Sequence, residues 1–120
     1  MSAIFSSAQH GIVVSRQADG SQSWSEQYNG VAIKSAIPID AGKRCILLLD
    51  PNANQRSAFE NLLCIDQQGK PIWTAKLPTS SDVFVRIDPM AEGIWANTWS
   101  GFKVLIDERT GVELKRAFVK

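Results

Sequence analysis

Histidine, cysteine and tyrosine are nearly missing from this chain, which holds one His, two Cys and one Tyr in 120 residues. One imidazole and two separated thiols are a thin stock for the four-ligand sets that zinc requires, and no metal or other cofactor is expected. His10 would have to serve in any Ser-His-Asp or Cys-His arrangement. It lies near the start of the chain with no nucleophile-elbow motif beside it, and it reads as an exposed residue. Neither charge dominates, with 13 Lys and Arg against 12 Asp and Glu and a net charge of +1. Without a basic stripe to follow phosphates, no nucleic-acid partner is expected. Long apolar runs are missing too. The longest, Cys45 to Leu49, falls far short of the roughly 20 residues that span a bilayer, so no membrane partner is expected. Met1 to Ala8 has neither the cationic start nor the sustained apolar core of a secretory leader, which points to a cytoplasmic location.

What the chain does have is 44% hydrophobic residues against 21% charged, a balance that packs rather than remaining disordered. At this length 1–120 is expected to form a single domain. Its apolar residues recur with period two. Strands are expected near 11–16, 22–26, 30–37, 44–50, 61–66, 71–76, 83–88, 93–99, 102–107 and 112–118. Val31, Ile33, Ile37 and Ile39 should share one side with Lys34 opposed, and Val83, Val85 and Ile87 one side with Phe84 and Arg86 opposed. The continuous runs Cys45 to Leu49 and Leu62 to Ile65 read as strands buried on both faces. Asp19-Gly20, Gln68-Gly69, Ser100-Gly101 and Thr110-Gly111 mark turns. Residues 54–60 suit either two helical turns capped by Asn52 or Asn54, or a long hairpin loop; a helix this short is unstable alone, which favours the loop. Cys45 and Cys64 read as buried small hydrophobes, and a disulfide between them requires neighbouring strands and an oxidising compartment.

A phrase recurs along the chain: an apolar strand, a polar turn with glycine, and a strand restart. It runs through Val13 to Trp24, Leu62 to Trp73 and Lys103 to Lys115. Its glycines Gly20, Gly69 and Gly111 are spaced like the repeats of a propeller, whose period is about 40–50 residues. Asp66, Gly69, Ile72 and Trp73 form one copy. Ala96, Ser100-Gly101, Asp107, Thr110-Gly111 and Leu114 form the next, with Lys115 where a Trp would stand. Residues 44 to 118 thus resemble the pyrroloquinoline-quinone-type β-propeller repeat. The resemblance implies blade-shaped antiparallel sheets, but the material suffices for two blades, or nearly three with the N-terminal copy, where closure takes about four to eight. The dehydrogenases of that class hold the quinone with a calcium-bound Asp and a disulfide of adjacent cysteines. Cys45 and Cys64 are not adjacent, so the cofactor does not carry over. Blades too few to close leave open edges, and self-association is the expected remedy.

Candidate chemistry is sparse. Asp50-Pro51-Asn52-Ala53-Asn54 has the oxygen alternation of a calcium loop, yet Gln55 and Asn61 stand where the EF-hand needs Gly and Glu. It reads as an Asx turn, although Asn52, Asn54, Arg56 and Glu60 gather polar groups on a long connection that could hold a partner. Asp66 and Asp107 sit at equivalent repeat positions before glycine turns, as turn residues do. In a regular strand over 93–99, Trp95, Asn97 and Trp99 would share a face able to stack on a ligand, if they are not core. Trp24 and Trp73 read as core. The fold expected is all-β, with antiparallel strands in two to three propeller-blade-like units, or alternatively a β-sandwich or partly open barrel. The function expected is a non-catalytic binding or protein-interaction module, set against a small hydrolase or isomerase using carboxylates near Asp50 and Asp66.

Overall fold

The computed structural model describes residues 4–6, 13–16, 22–25, 27–52, 59–79 and 81–118, the first three segments as backbone only. Through them run β1 (Ile4–Ser6), β2 (Val13–Arg16), β3 (Gln22–Ser25), β4 (Gln27–Tyr28), β5 (Val31–Ile39), β6 (Arg44–Leu49), β7 (Leu62–Ile65), β8 (Pro71–Thr74), β9 (Phe84–Met90), β10 (Gly93–Thr98), β11 (Phe102–Ile106) and β12 (Glu113–Phe118). The chain is all-β. Three sheets form, with strand orders β1-β2-β3, β4-β5-β6-β7-β8 and β12-β11-β10-β9, and every ladder within them is antiparallel. Strands β5 to β8 and β9 to β12 are each an up-and-down meander, as follows when most connections are too short for a crossover. The ten strands read from the periodicity are present, with β1 and β4 added. β4 hairpins onto β5 through Asn29-Gly30, whose φ angles of 50° and 81° match the mirror-image turn that Asn-Gly favours.

β6 explains how the layers stack. Its even and odd residues are buried on opposite faces. Cys45, Leu47 and Leu49 pack with Ile33, Leu63 and Ile65 on one side. Ile46 and Leu48 pack on the other with Leu62, Cys64, Trp73 and Ala75 of their own sheet, and with Phe84, Ile87, Ile94, Ala96, Val104 and Ile106 of the β9–β12 sheet. The two meanders are therefore joined face to face by a shared apolar layer, where each fully buried Leu, Ile or Phe contributes about 1.5–3 kcal/mol. β1 runs close to β6 and to the 3₁₀ turn Asp40–Gly42.

The same alternation settles the cysteines. Cys45 pairs with Ile65 and Cys64 with Ile46, so β6 and β7 are neighbours. The two thiols nonetheless point to opposite faces of the sheet and belong to different clusters, and both are free. Burial pushes the Cys45 thiol up to about 12 and the Cys64 thiol up to about 11, which keeps both protonated and poorly nucleophilic at neutral pH.

Two bulges overturn two of the expected strand faces. Ile33 pairs with Leu49 but Ser35 with Leu48, so Lys34 is one residue too many for its partner strand. Val31 and Ile33 consequently face one cluster, while Ile37 and Ile39 face the other. In β9, Arg86 pairs with Asn97 and Phe84 with Thr98, leaving Val85 as the extra residue. Phe84 and Ile87 therefore share the interlayer core instead of opposing each other. A bulge adds one residue to one strand and reverses the alternation on either side of it.

Further bulges fall at matching places in the two meanders. Ile72 is extra opposite Cys64 and Ile65, and Leu114 is extra opposite Leu105 and Ile106. Each stands three residues after the glycine of its turn. Trp73, buried as expected, donates its indole N–H to the Glu108 carbonyl at 3.0 Å and lies against Gly111, tying the end of one meander to the last turn of the other. The side chain of Trp24 lies outside the described residues, as do residues 53–58, on which the choice between loop and helix fell.

Candidate functional site

The turn between β10 and β11 is built to hold its exposed residue still. Asp82 is buried and accepts hydrogen bonds from the main-chain N–H groups of Val83 (2.9 Å) and Ser100 (3.1 Å), and from the Ser100 hydroxyl. Burial pushes this carboxyl up. The Ser100 hydroxyl and the two main-chain amides outweigh burial and hold it below its ordinary value of 3.8. Thr98 Oγ1 accepts the Phe102 N–H at 3.1 Å, and the Gly101 N–H closes the turn on the Thr98 carbonyl. Trp99 itself donates its main-chain N–H to the Val83 carbonyl at 2.9 Å. Its side chain is 75% exposed, the most exposed of the large apolar residues among those described.

Beside Trp99 opens a cleft of about 490 Å³ lined also by Lys34, Pro51, Asn52, Ser81, Asp82, Val83 and Val85. The Lys34 ammonium donates to the Val85 carbonyl at 2.6 Å, joining the extra residue of one bulge to that of the other. Asn52 sits at the rim, its main-chain N–H held by the Asp50 carboxylate at 2.9 Å. Pro51, Val83, Val85 and the indole supply apolar wall, and Lys34, Asn52 and Ser81 supply polar groups. Such a mixture, at this size, suits a small ligand or the tip of a larger one.

Of the candidate residues, Asn52 and Trp99 come together in this cleft. Asn54 and Arg56 lie outside the described residues. Glu60 is exposed between Phe59 and the buried Asn61 and does not line the cleft. β10 ends at Thr98, which puts Trp99 in the turn and separates it from Trp95 and Asn97 on the strand. Those two are partly exposed on the outer face. Trp95 donates its indole N–H to Glu92 at 2.9 Å and carries the Lys103 ammonium 5.0 Å from its ring centroid. Asp66 and Asp107 hold turns: Asp66 Oδ1 accepts the N–H groups of Gln68 and Lys70, and Asp107 Oδ1 accepts that of Arg109.

Lys34, Asp82 and Val85 were not among the sequence candidates. A lone lysine inside an apolar alternation looks like any solvent-facing strand residue, and neither bulge leaves a compositional mark. Among the described residues, no group of three His, Cys, Asp or Glu side chains could hold a metal ion. No helix there is long and apolar enough to cross a membrane.

Residues 30–118 match the family model of a domain of unknown function, DUF7957, and the chain belongs to that family. The match begins in the Asn29-Gly30 turn and ends with β12, so it spans both meanders and leaves out β1 to β4. No curated protein matches the chain.

Proposed function

We propose that this protein is a non-catalytic binding or protein-interaction module whose ligand rests against Trp99 in the cleft formed with Lys34, Pro51, Asn52, Val83 and Val85. The observation that carries this reading is the combination of exposure and fixation at Trp99. A large aromatic side chain left in water costs solvation free energy, and here its main chain is pinned by Val83 and its turn by Asp82. A rigid aromatic anchor loses little entropy on binding, which is why Trp dominates binding hot spots. The hydrolase or isomerase alternative has less support, because Asp50 and Asp66 each accept main-chain hydrogen bonds of their own turns.

A fragment screen followed by nuclear magnetic resonance tests the reading. Hits should cluster on the Trp99 indole and the Asn52 amide and disappear in Trp99→Ala. Hits scattered over the surface, or unaffected by that substitution, would remove the cleft from consideration.

Self-association is a second reading, supported by β12. This edge strand is exposed along its whole length, with Leu114 at 51% and Phe118 at 61%. Pairing with a second copy would cover them. A single monomeric species in sedimentation at high micromolar concentration would count against it. We also read the two meanders as propeller-type blades, on the strength of their consecutive strand order and their matching bulges at Ile72 and Leu114. A cytoplasmic location is proposed on the buried free thiols and the short apolar runs.

A further inference from the structure

We infer that the Trp99 cleft selects a carboxylate attached to an apolar group, with Lys34 as the residue that reads the charge. This rests on the cleft being a binding site, and it names the class of ligand. The Lys34 side chain leaves β5 at a bulge and ends on the carbonyl of a second bulge, at Val85. An exposed lysine ordinarily samples many rotamers, whereas this ammonium is tethered at the cleft wall before any ligand arrives. Only one of its three N–H groups is used by that carbonyl, and among the described residues no carboxylate pairs with it.

Asp82 does not compete for the role. It is 2% exposed and both of its oxygens already accept hydrogen bonds from Val83 and Ser100, so the ligand meets no free anionic acceptor there. Among the described residues, Lys34 is thus the one ionised group of the cleft that a ligand can touch. The remaining wall, Pro51, Val83, Val85 and the Trp99 indole, calls for an aliphatic or aromatic body. A single ammonium matches a carboxylate in charge, and the polar neighbours Asn52 and Ser81 can donate to its second oxygen. A free organic acid and the carboxylate end of a peptide share this chemistry.

Matched pairs separate the two sources and test the charge. Hydrocinnamate and hydrocinnamide form one pair, and N-acetyl-leucylphenylalanine and its C-terminal amide the other, each titrated while the Trp99 indole resonance is followed. Each acid should bind about tenfold tighter than its amide. Lys34→Met should erase that difference and Lys34→Arg should keep it. A stronger preference within the first pair assigns the site to free acids, and within the second to chain ends. Equal binding of acid and amide that still depends on Trp99 would overturn the charge assignment and leave the cleft standing. A preference surviving in Lys34→Met, or no movement of the Trp99 resonance with any of the four probes, would also overturn it, while the fragment screen decides the cleft independently.

Discussion

The side chain of Asn61 pairs with both main-chain groups of Phe84: its Nδ2 donates to the Phe84 carbonyl at 2.7 Å and its Oδ1 accepts the Phe84 N–H at 3.0 Å. The same Nδ2 donates to the Leu49 carbonyl at 2.9 Å. A fully buried amide thus acts as a stitch between the β9–β12 sheet and the β5–β8 sheet. The start of β9, flanked by Val83 with its Trp99 contact and by Val85, is positioned by it.

Asn61→Ala should therefore be among the most damaging substitutions in the chain. It leaves buried main-chain groups of Leu49 and Phe84 short of partners, at about 1–3 kcal/mol for each such group. Urea unfolding should show a loss of about 3 kcal/mol, and a loss below about 1 kcal/mol would mean that water reaches these groups.

The turn glycines of the two repeats should respond differently to alanine. Gly69 has a φ of +83° with open space where a Cβ would stand, whereas at Gly111, with φ of +75°, a Cβ would come within 2.6 Å of the Trp73 ring. Gly69→Ala should cost about 1 kcal/mol, the strain of the left-handed backbone alone. Gly111→Ala should cost at least about 2 kcal/mol more, through overpacking, and should alter the near-ultraviolet dichroism of Trp73. Equal costs would show that the Trp73 contact is dispensable.

Trp99 and Phe84 form a second contrast. Trp99→Ala should shift stability by no more than about 0.5 kcal/mol because its side chain is exposed, while Phe84→Ala should cost about 3–5 kcal/mol from the interlayer core. Thermal melting of the two variants checks both, and a strongly destabilised Trp99→Ala would make that residue structural.

Asp82 contributes to the acid limb of stability. Its folded pKa lies below the ordinary 3.8, so the native state favours the ionised form. That contribution is present above 3.8 and is lost as pH falls through the folded value. The stability gap between the wild type and Asp82→Asn should therefore be largest near neutrality and narrow below about pH 4. A gap that is constant across this range would detach the Asp82 charge from the Trp99 turn.

The thiols act in the opposite direction. With the Cys45 pKa raised from 9.0 to about 12, the unfolded chain releases its proton first, and stability falls as pH rises across that interval. The fall should be steeper for the wild type than for Cys45→Val. Native protein at neutral pH should also react slowly with a disulfide reagent until denaturant is added, and rapid labelling of both thiols would contradict their burial.

Much of the fold was legible because period-two hydrophobicity is a local signal. Leu62 to Ile65 and Cys45 to Leu49 announce strands buried on both faces, and both are. Asn29-Gly30 forms the β4–β5 hairpin on an equally local signal. The candidate site was legible in fewer of its members. Asn52 and Trp99 stand out, one in a polar loop and the other as a surplus aromatic, but Lys34 and Val85 look like ordinary strand residues. Their importance comes from being the unmatched residue of a pair, which depends on the partner strand.

The sequence by itself determined that this chain is all-β, where ten of its strands run, that Asp66 and Asp107 form turns, and that Trp73 is core. Those outcomes rest on each residue's neighbours within a few positions. Only the tertiary structure decided which side each residue faces beyond a bulge, that Cys45 and Cys64 lie on opposite faces of one sheet, and that Lys34, Asn52 and Trp99 meet around one cleft. Register between strands is a property of two segments at once, and one extra residue in either reverses every side chain that follows.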